Sequence, residues 1–309
     1  MCLFVAWCIA EAMDWTSSVQ IDAVAVEYLN YLFNDGELLH RGTSFLAALK
    51  FFFPQFGRDG LLRLPRCSRA LRGWSKKRPP LQRVPLPRLV VMAIIGLLLF
   101  DSNVAEALGV FLSFHCYLRP GEFENLKVHN LVFGQAVANG PTQWGLLMHM
   151  QEDLKPSKIG LFDEAVIIDA GHWINLLLEI VARSPSQQQL LNMQPGQLKT
   201  AFLAACQKLH LAHLLPCLYQ LRHAGASDDM LQARRVTADI RARGRWQSDN
   251  SLKRYSKPTQ VLRELQRVSL AVKALGSFVD SHLATVFHIP KSIPSVLVGK
   301  ATSHPAPKN

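Results

Sequence analysis

Tyr219-Gln-Leu-Arg222-His-Ala-Gly-Ala-Ser227, Arg241-Ala-Arg-Gly-Arg245-Trp246 and Ser251-Leu-Lys-Arg-Tyr255 are the runs on which the reading of this chain turns. They place an arginine early in a helix, an indole just after a glycine stop, and a phenol nine residues beyond the indole. Such a set handles phosphate. A guanidinium fork grips two oxygens and keeps its charge, and an indole N–H can only donate. The two tyrosines differ in place. Tyr219 lies three residues before Arg222, where a proton-transfer group is expected, and Tyr255 lies where a nucleophile is expected.

The wider composition agrees with an anionic partner. The chain has 309 residues, 49% of them apolar, and a formal charge of +11. Its pI is near 9.6. Nucleic acid is the first candidate partner and an acidic membrane surface the second. Six cysteines, at 2, 8, 67, 116, 206 and 217, form no CxxC pair, as expected for reduced thiols of an intracellular protein. The first ten residues are apolar but lack a basic start and soon meet Glu11 and Asp14, so a signal peptide is not expected. Leu89–Phe100 is an apolar run of twelve residues. A bilayer needs about 20, so the run predicts a buried core helix and no membrane span.

Taken in order, residues 1–14 read as an extension and residues 15–75 as a small helical domain. Ile21, Val24, Tyr28, Leu29 and Leu32 give one helical stripe; Thr43 or Ser44 is the expected cap of a second. Between Leu61 and Arg88 the chain is strongly basic and punctuated by Pro65, Pro79, Pro80, Pro85 and Pro87, which predicts no long helix there. Residues 76–88 read as a linker, and Lys76-Lys77-Arg78-Pro79 is similar to a short nuclear-import signal. The larger domain spans 89–268. It opens with helices over 89–100 and 104–116, and a third begins at Arg119-Pro120-Gly121-Glu122. Strands are expected at 131–133, 144–150 and 165–169, then helices over 173–181 and 197–209. Residues 259–287 are amphipathic, able to dock on this chain or on a neighbour, and 269–309 read as a C-terminal helix and loose tail. The fold class is therefore mainly α with a small three-stranded antiparallel sheet.

Cutting a DNA phosphodiester without a metal needs a side-chain nucleophile, cations on the non-bridging oxygens, and a proton donor for the leaving oxygen. A phosphotyrosine stores the bond energy, so the step reverses without ATP. Losing one preorganised donor typically costs about 3–4 kcal/mol of barrier. Arg119-x-x-Glu122 with Leu126, Leu221-Arg222-His223, Gly244-Arg245-Trp246 and Tyr255 together resemble the tyrosine recombinases of the phage-integrase family. The resemblance covers roughly residues 85–270, with the helical 15–75 segment where that family carries its core-binding domain.

The resemblance implies a two-lobed clamp on duplex DNA, acting as a homotetramer without cofactor or metal. Tyr255 is then the nucleophile, Arg119 and Arg222 clamp the phosphate, and Lys158, or Lys155 in a shifted register, is the general acid. Trp246 donates a hydrogen bond to phosphate and Glu122 orients the first arginine. Lys76, Lys77, Arg78, Arg241, Arg243 and Arg245 form DNA-binding faces. In a eukaryote the nucleus is the expected compartment. Tyr219 departs from the family, which places His or Lys there; a phenol with pKa near 10 is a poor base at pH 7, and His223 is the neighbouring substitute. That departure keeps a non-cutting DNA-binding remnant as the first alternative. A type IB topoisomerase-like enzyme and a basic helical scaffold are the others. His210, His213, Cys217 and His223 match no common zinc spacing, and Pro216 breaks a shared helical face.

Overall fold

The computed structural model describes residues 1–79, 84–134, 143–153, 156–157, 160–248, 252 and 257–287. The chain divides into two compact units, Met1–Gln82 and Arg83–Asn309.

The first unit is four helices: α1 (Cys2–Ala10), α2 (Ser18–Asn34), α3 (Leu39–Phe52) and α4 (Pro65–Lys77). The opening residues are part of it. Phe4 and Cys8 of α1 are buried, and the Phe4 ring lies 4.9 Å from Phe45 and 5.2 Å from Tyr28. Helix α2 starts at a capping box. The Ser17 hydroxyl accepts from Gln20 N at 3.3 Å, and Ser17 N donates to Gln20 Oε1 at 2.9 Å. Two expectations are corrected. Helix α3 begins at Leu39, so Thr43 and Ser44 lie inside it; the Thr43 hydroxyl donates back to His40 O. Helix α4 runs through the stretch expected to lack a long helix. Pro65 occupies its first turn, where no N–H is required, and Pro79 follows its end.

The start of α4 is held by Asp22 of α2. Its two carboxylate oxygens each accept one backbone N–H, from Arg66 and Cys67, at 3.0 Å. This is an N-cap supplied from a distant part of the chain. Asp22→Ala should lower unfolding stability by about 1 kcal/mol, in the range of other lost caps, read as a shifted urea midpoint; an unchanged midpoint would refute the capping role.

The second unit contains α5 (Arg88–Phe100), α6 (Val104–His115), α7 (Pro120–Asn125), β1 (Leu131–Gly134), β2 (Gln143–Met148), β3 (Glu164–Ile168), α8 (His172–Ala182), α9 (Gln197–Lys208), α10 (Tyr219–Leu231) and α11 (Thr237–Arg243). After it come α12 (Pro258–Arg267), α13 (Leu270–Ser281) and α14 (Leu283–Val286). Helix α5 is apolar all round because it is central: Val90, Val91, Met92, Ala93, Ile94 and Ile95 are all fully buried. The strands pair antiparallel in the order β1-β2-β3, with Leu131 opposite Leu146 and Leu146 opposite Val166. Those residues, with Trp144, Met148 and Ile168, face the core. The fold is thus mainly helical with one small antiparallel sheet, as the apolar spacing predicts. No helix among the described residues is long and apolar enough to cross a membrane.

The 259–287 stretch is broken rather than continuous. Ser269 interrupts it and caps α13 by accepting from Val272 N at 3.3 Å. Helix α13 packs on α5 of its own chain through Gly96 and Gly276. Residues 288–309, read as a loose tail, lie outside the described residues. All six cysteines are free, and four of them are buried.

Candidate functional site

Three arginines from separate stretches meet on Glu122. Proline and a carboxylate in its first turn start α7, and Glu122 turns back to accept from Arg119 N at 2.7 Å. Its other oxygen accepts from the Arg119 guanidinium. Arg222 of α10 approaches Glu122 Oε2 at 3.7 Å, and Arg245 donates to the same oxygen at 2.6 Å. Burial pushes the Glu122 carboxyl up, but Arg245, then the N–H and charge of Arg119, then Arg222 pull it below its ordinary value.

Two helix ends close the site. Helix α6 ends with Leu118 N donating to Ser113 O, and Tyr117 adopts φ +51°. Helix α11 ends with Arg245 N donating to Ala242 O and Trp246 N to Arg241 O, and Arg245 adopts φ +53°. Each left-handed residue occupies the position after a helix cap where glycine is the usual choice. Here it is an aromatic or a cation whose side chain is used. The Arg222 guanidinium donates to Tyr117 O at 2.5 Å and to Gly244 O, so one cation joins the negative ends of both helices. The Tyr117 and Trp246 rings stack with centroids 6.1 Å apart, and Arg222 Cζ lies 5.0 Å from the centroid of the indole ring system. A Cβ on Gly244 would meet the Trp246 ring at 2.2 Å, which explains the glycine before this turn.

The exposures differ. Arg222 is wholly buried and Trp246 is 9% exposed. The Arg119 side chain, at 27%, is the accessible member. Among the described residues, three guanidiniums face the carboxylates of Glu122 and Glu164, a surplus of one positive charge.

No family model matches the chain, and no curated protein matches it.

Arg119, Glu122, Arg222 and Trp246, selected from sequence, are brought together. Tyr255, Lys155 and Lys158 lie outside the described residues. Leu252, three positions before Tyr255, is buried against Tyr117, Ile240 and Trp246. Tyr219 begins α10 one turn before Arg222, and its ring meets His223 edge-on at 5.1 Å. Lys76 and Lys77 are exposed at the end of α4, whereas Arg78 donates to Phe33 O at 2.7 Å. Two members of the expected basic face turn toward protein groups. Arg243 turns inward to His115 O, Ile167 O and Asp169, and Arg245 to Glu122. Arg241 is half-buried.

Sequence reasoning missed Tyr117, His149 and Glu164. Tyr117 is buried and its hydroxyl donates to Asp229; burial and that carboxylate raise its phenol well above the ordinary value. Its signal is a bulky residue where α6 must stop before Arg119. Ligand atoms of Glu122, His149 and Glu164 lie within 4.8 Å of one another. A metal does not suit them, because the Arg245 guanidinium is already there, 3.7 Å from Glu164 Oε2 as well as on Glu122.

Proposed function

We propose that this protein cleaves and rejoins DNA strands through a 3′-phosphotyrosine at Tyr255. The observation that carries the reading is the meeting of Arg119 and Arg222 on one carboxylate, with Trp246 over the second arginine. These positions are far apart in the chain. In this reading Arg119 and Arg222 neutralise the non-bridging oxygens as charge builds. Lys158 protonates the leaving 5′ oxygen, Trp246 donates to the phosphate, and Glu122 sets the pose of the arginines. The partner is duplex DNA, and four copies act on two sites. The net positive charge supports the partner.

A nicked suicide duplex with randomised arms tests the chemistry. The strand downstream of the cut is lost, so the covalent intermediate accumulates. Wild type should give a protein–DNA adduct on denaturing gels, and Tyr255→Phe should give none. Absence of an adduct from wild type on every duplex would end the reading.

A DNA-binding remnant that no longer cuts is the second reading. The complete burial of Arg222, with two carbonyls on its terminal nitrogens, favours it, as does the phenol of Tyr219 at the family's His/Lys position. It expects duplex binding that weakens steeply with salt, without adduct.

A further inference from the structure

Arg245 is a costly choice for its place. A left-handed backbone suits glycine, and any Cβ there strains the turn. The arginine at this position has a side chain only 5% exposed, so its guanidinium works inside the protein. It donates to Glu122 Oε2 at 2.6 Å and to Tyr117 O at 3.2 Å, and its Nε lies 3.7 Å from Glu164 Oε2. Glu122 belongs to the helix that starts at Arg119, and Glu164 begins β3, the strand after the segment that carries Lys155 and Lys158. The side chain therefore connects α7, which starts at Arg119, with β3.

We infer that Arg245 is a positioning residue: it fixes Glu122, ties it to Glu164 of β3, and so sets the pose in which Arg119 and Arg222 receive a phosphate. Its catalytic consequence rests on the phosphotyrosine reading; the fixing of Glu122 does not. Arg245 differs from Arg119 in touching no phosphate itself, since its side chain is only 5% exposed and its two terminal nitrogens donate to Arg243 O, Tyr117 O and Glu122.

Arg245→Gly tests this without straining the turn, because glycine accepts the left-handed backbone freely. Arg245→Lys keeps a charge but loses the fork that bridges two carboxylates. The groups facing Glu122 are Arg119 from its own helix, Arg222 from α10, Arg245 from the turn after α11, and His149 and Glu164 from the sheet. Wild type holds the Glu122 carboxyl low, so its contribution to stability is present above the ordinary carboxylate range and is lost as pH falls through the lower folded value. Removing Arg245 takes away the largest of the opposing charges. The acid fall in Tm should then begin at higher pH in Arg245→Gly, and the same change made in a Glu122→Gln background, where only Glu164 still faces Arg245, should shift it far less. On the nicked duplexes, adduct formation by Arg245→Gly should fall about a hundredfold, as for a displaced catalytic group. Arg245→Lys should lie between, and duplex affinity should hold.

An unmoved acid limb, or additive effects of Arg245→Gly and Glu122→Gln, overturns the inference. So does wild-type adduct formation by Arg245→Gly. If wild type forms no adduct, the phosphotyrosine reading fails alone. The acid limb and its smaller shift in the Glu122→Gln background then decide whether Arg245 holds Glu122.

Discussion

Arg222→Met is expected to destabilise the Arg83–Asn309 unit by about 3–5 kcal/mol, as when one partner of a buried charge pair is removed. Methionine fills much of the volume, so the cost is chiefly polar. Gly244 O loses its charged donor in a place water does not reach, and Tyr117 O keeps only the longer bond from Arg245; an unsatisfied buried group carries a penalty of its own. Glu122 keeps Arg119 and Arg245 but loses its third cation. The indole of Trp246 loses the charge beneath it. Urea unfolding of the full chain gives the measurement. A loss under about 1 kcal/mol, the worth of one ordinary hydrogen bond, would show that the helix ends hold together without it. Arg222 is thus a structural cross-tie whatever its part in phosphate binding, and loss of adduct in this variant alone would not identify a catalytic role.

Gly276→Ala should also be costly. A Cβ on residue 276 would stand 2.0 Å from Leu89 O, a backbone atom of α5 that cannot step aside. A Cβ on Gly96, across the same seam, would meet Val279 at 2.5 Å. The two helices touch backbone to side chain, so α13 must lift away or tilt. Overpacking of this kind costs about 1–3 kcal/mol and sometimes more. The apolar face of α13, including Val272 and Val279, would be partly released to solvent. Thermal unfolding reads the loss, and an unchanged Tm would mean that the seam is looser than the packing indicates. The result bears on assembly as well. An amphipathic stretch that could serve a neighbour is already spent on its own chain over Leu270–Ser281.

Much of the larger unit was legible because its signals are local. The apolar run at 89–100 has the length of a buried helix and no break. The alternation through Leu146 and Met148, and through Val166 and Ile168, has the period of a half-buried strand. Arg119 and Arg222 are legible because phosphate chemistry calls for guanidiniums, and Glu122 because a carboxylate three residues after Arg119 marks a helix start and matches the pattern the chain resembles. What stayed hidden depends on tertiary context. Pro65 reads as a breaker until its place in the first turn of α4 is known. Asp22 reads as one more acid in α2 until Arg66 and Cys67 present their N–H groups to it. Arg243 and Arg245 look like a solvated face because a sequence does not reveal that Asp169 and Glu122 wait beneath them. Glu164 and His149 carry no spacing rule at all; the fold of the sheet alone brings them to Arg245.

The paired left-handed residues at 117 and 245 have an implication for how this protein can change over time. Each α-helical residue turns the chain by about 100°. Adding or deleting a single residue within α6 or α11 would swing Tyr117 or Arg245 away from its partners by that angle. Substitution is tolerable on the exposed first turn of α11, whereas α6 is buried from Val104 to Phe114, and the length of neither helix is free to drift.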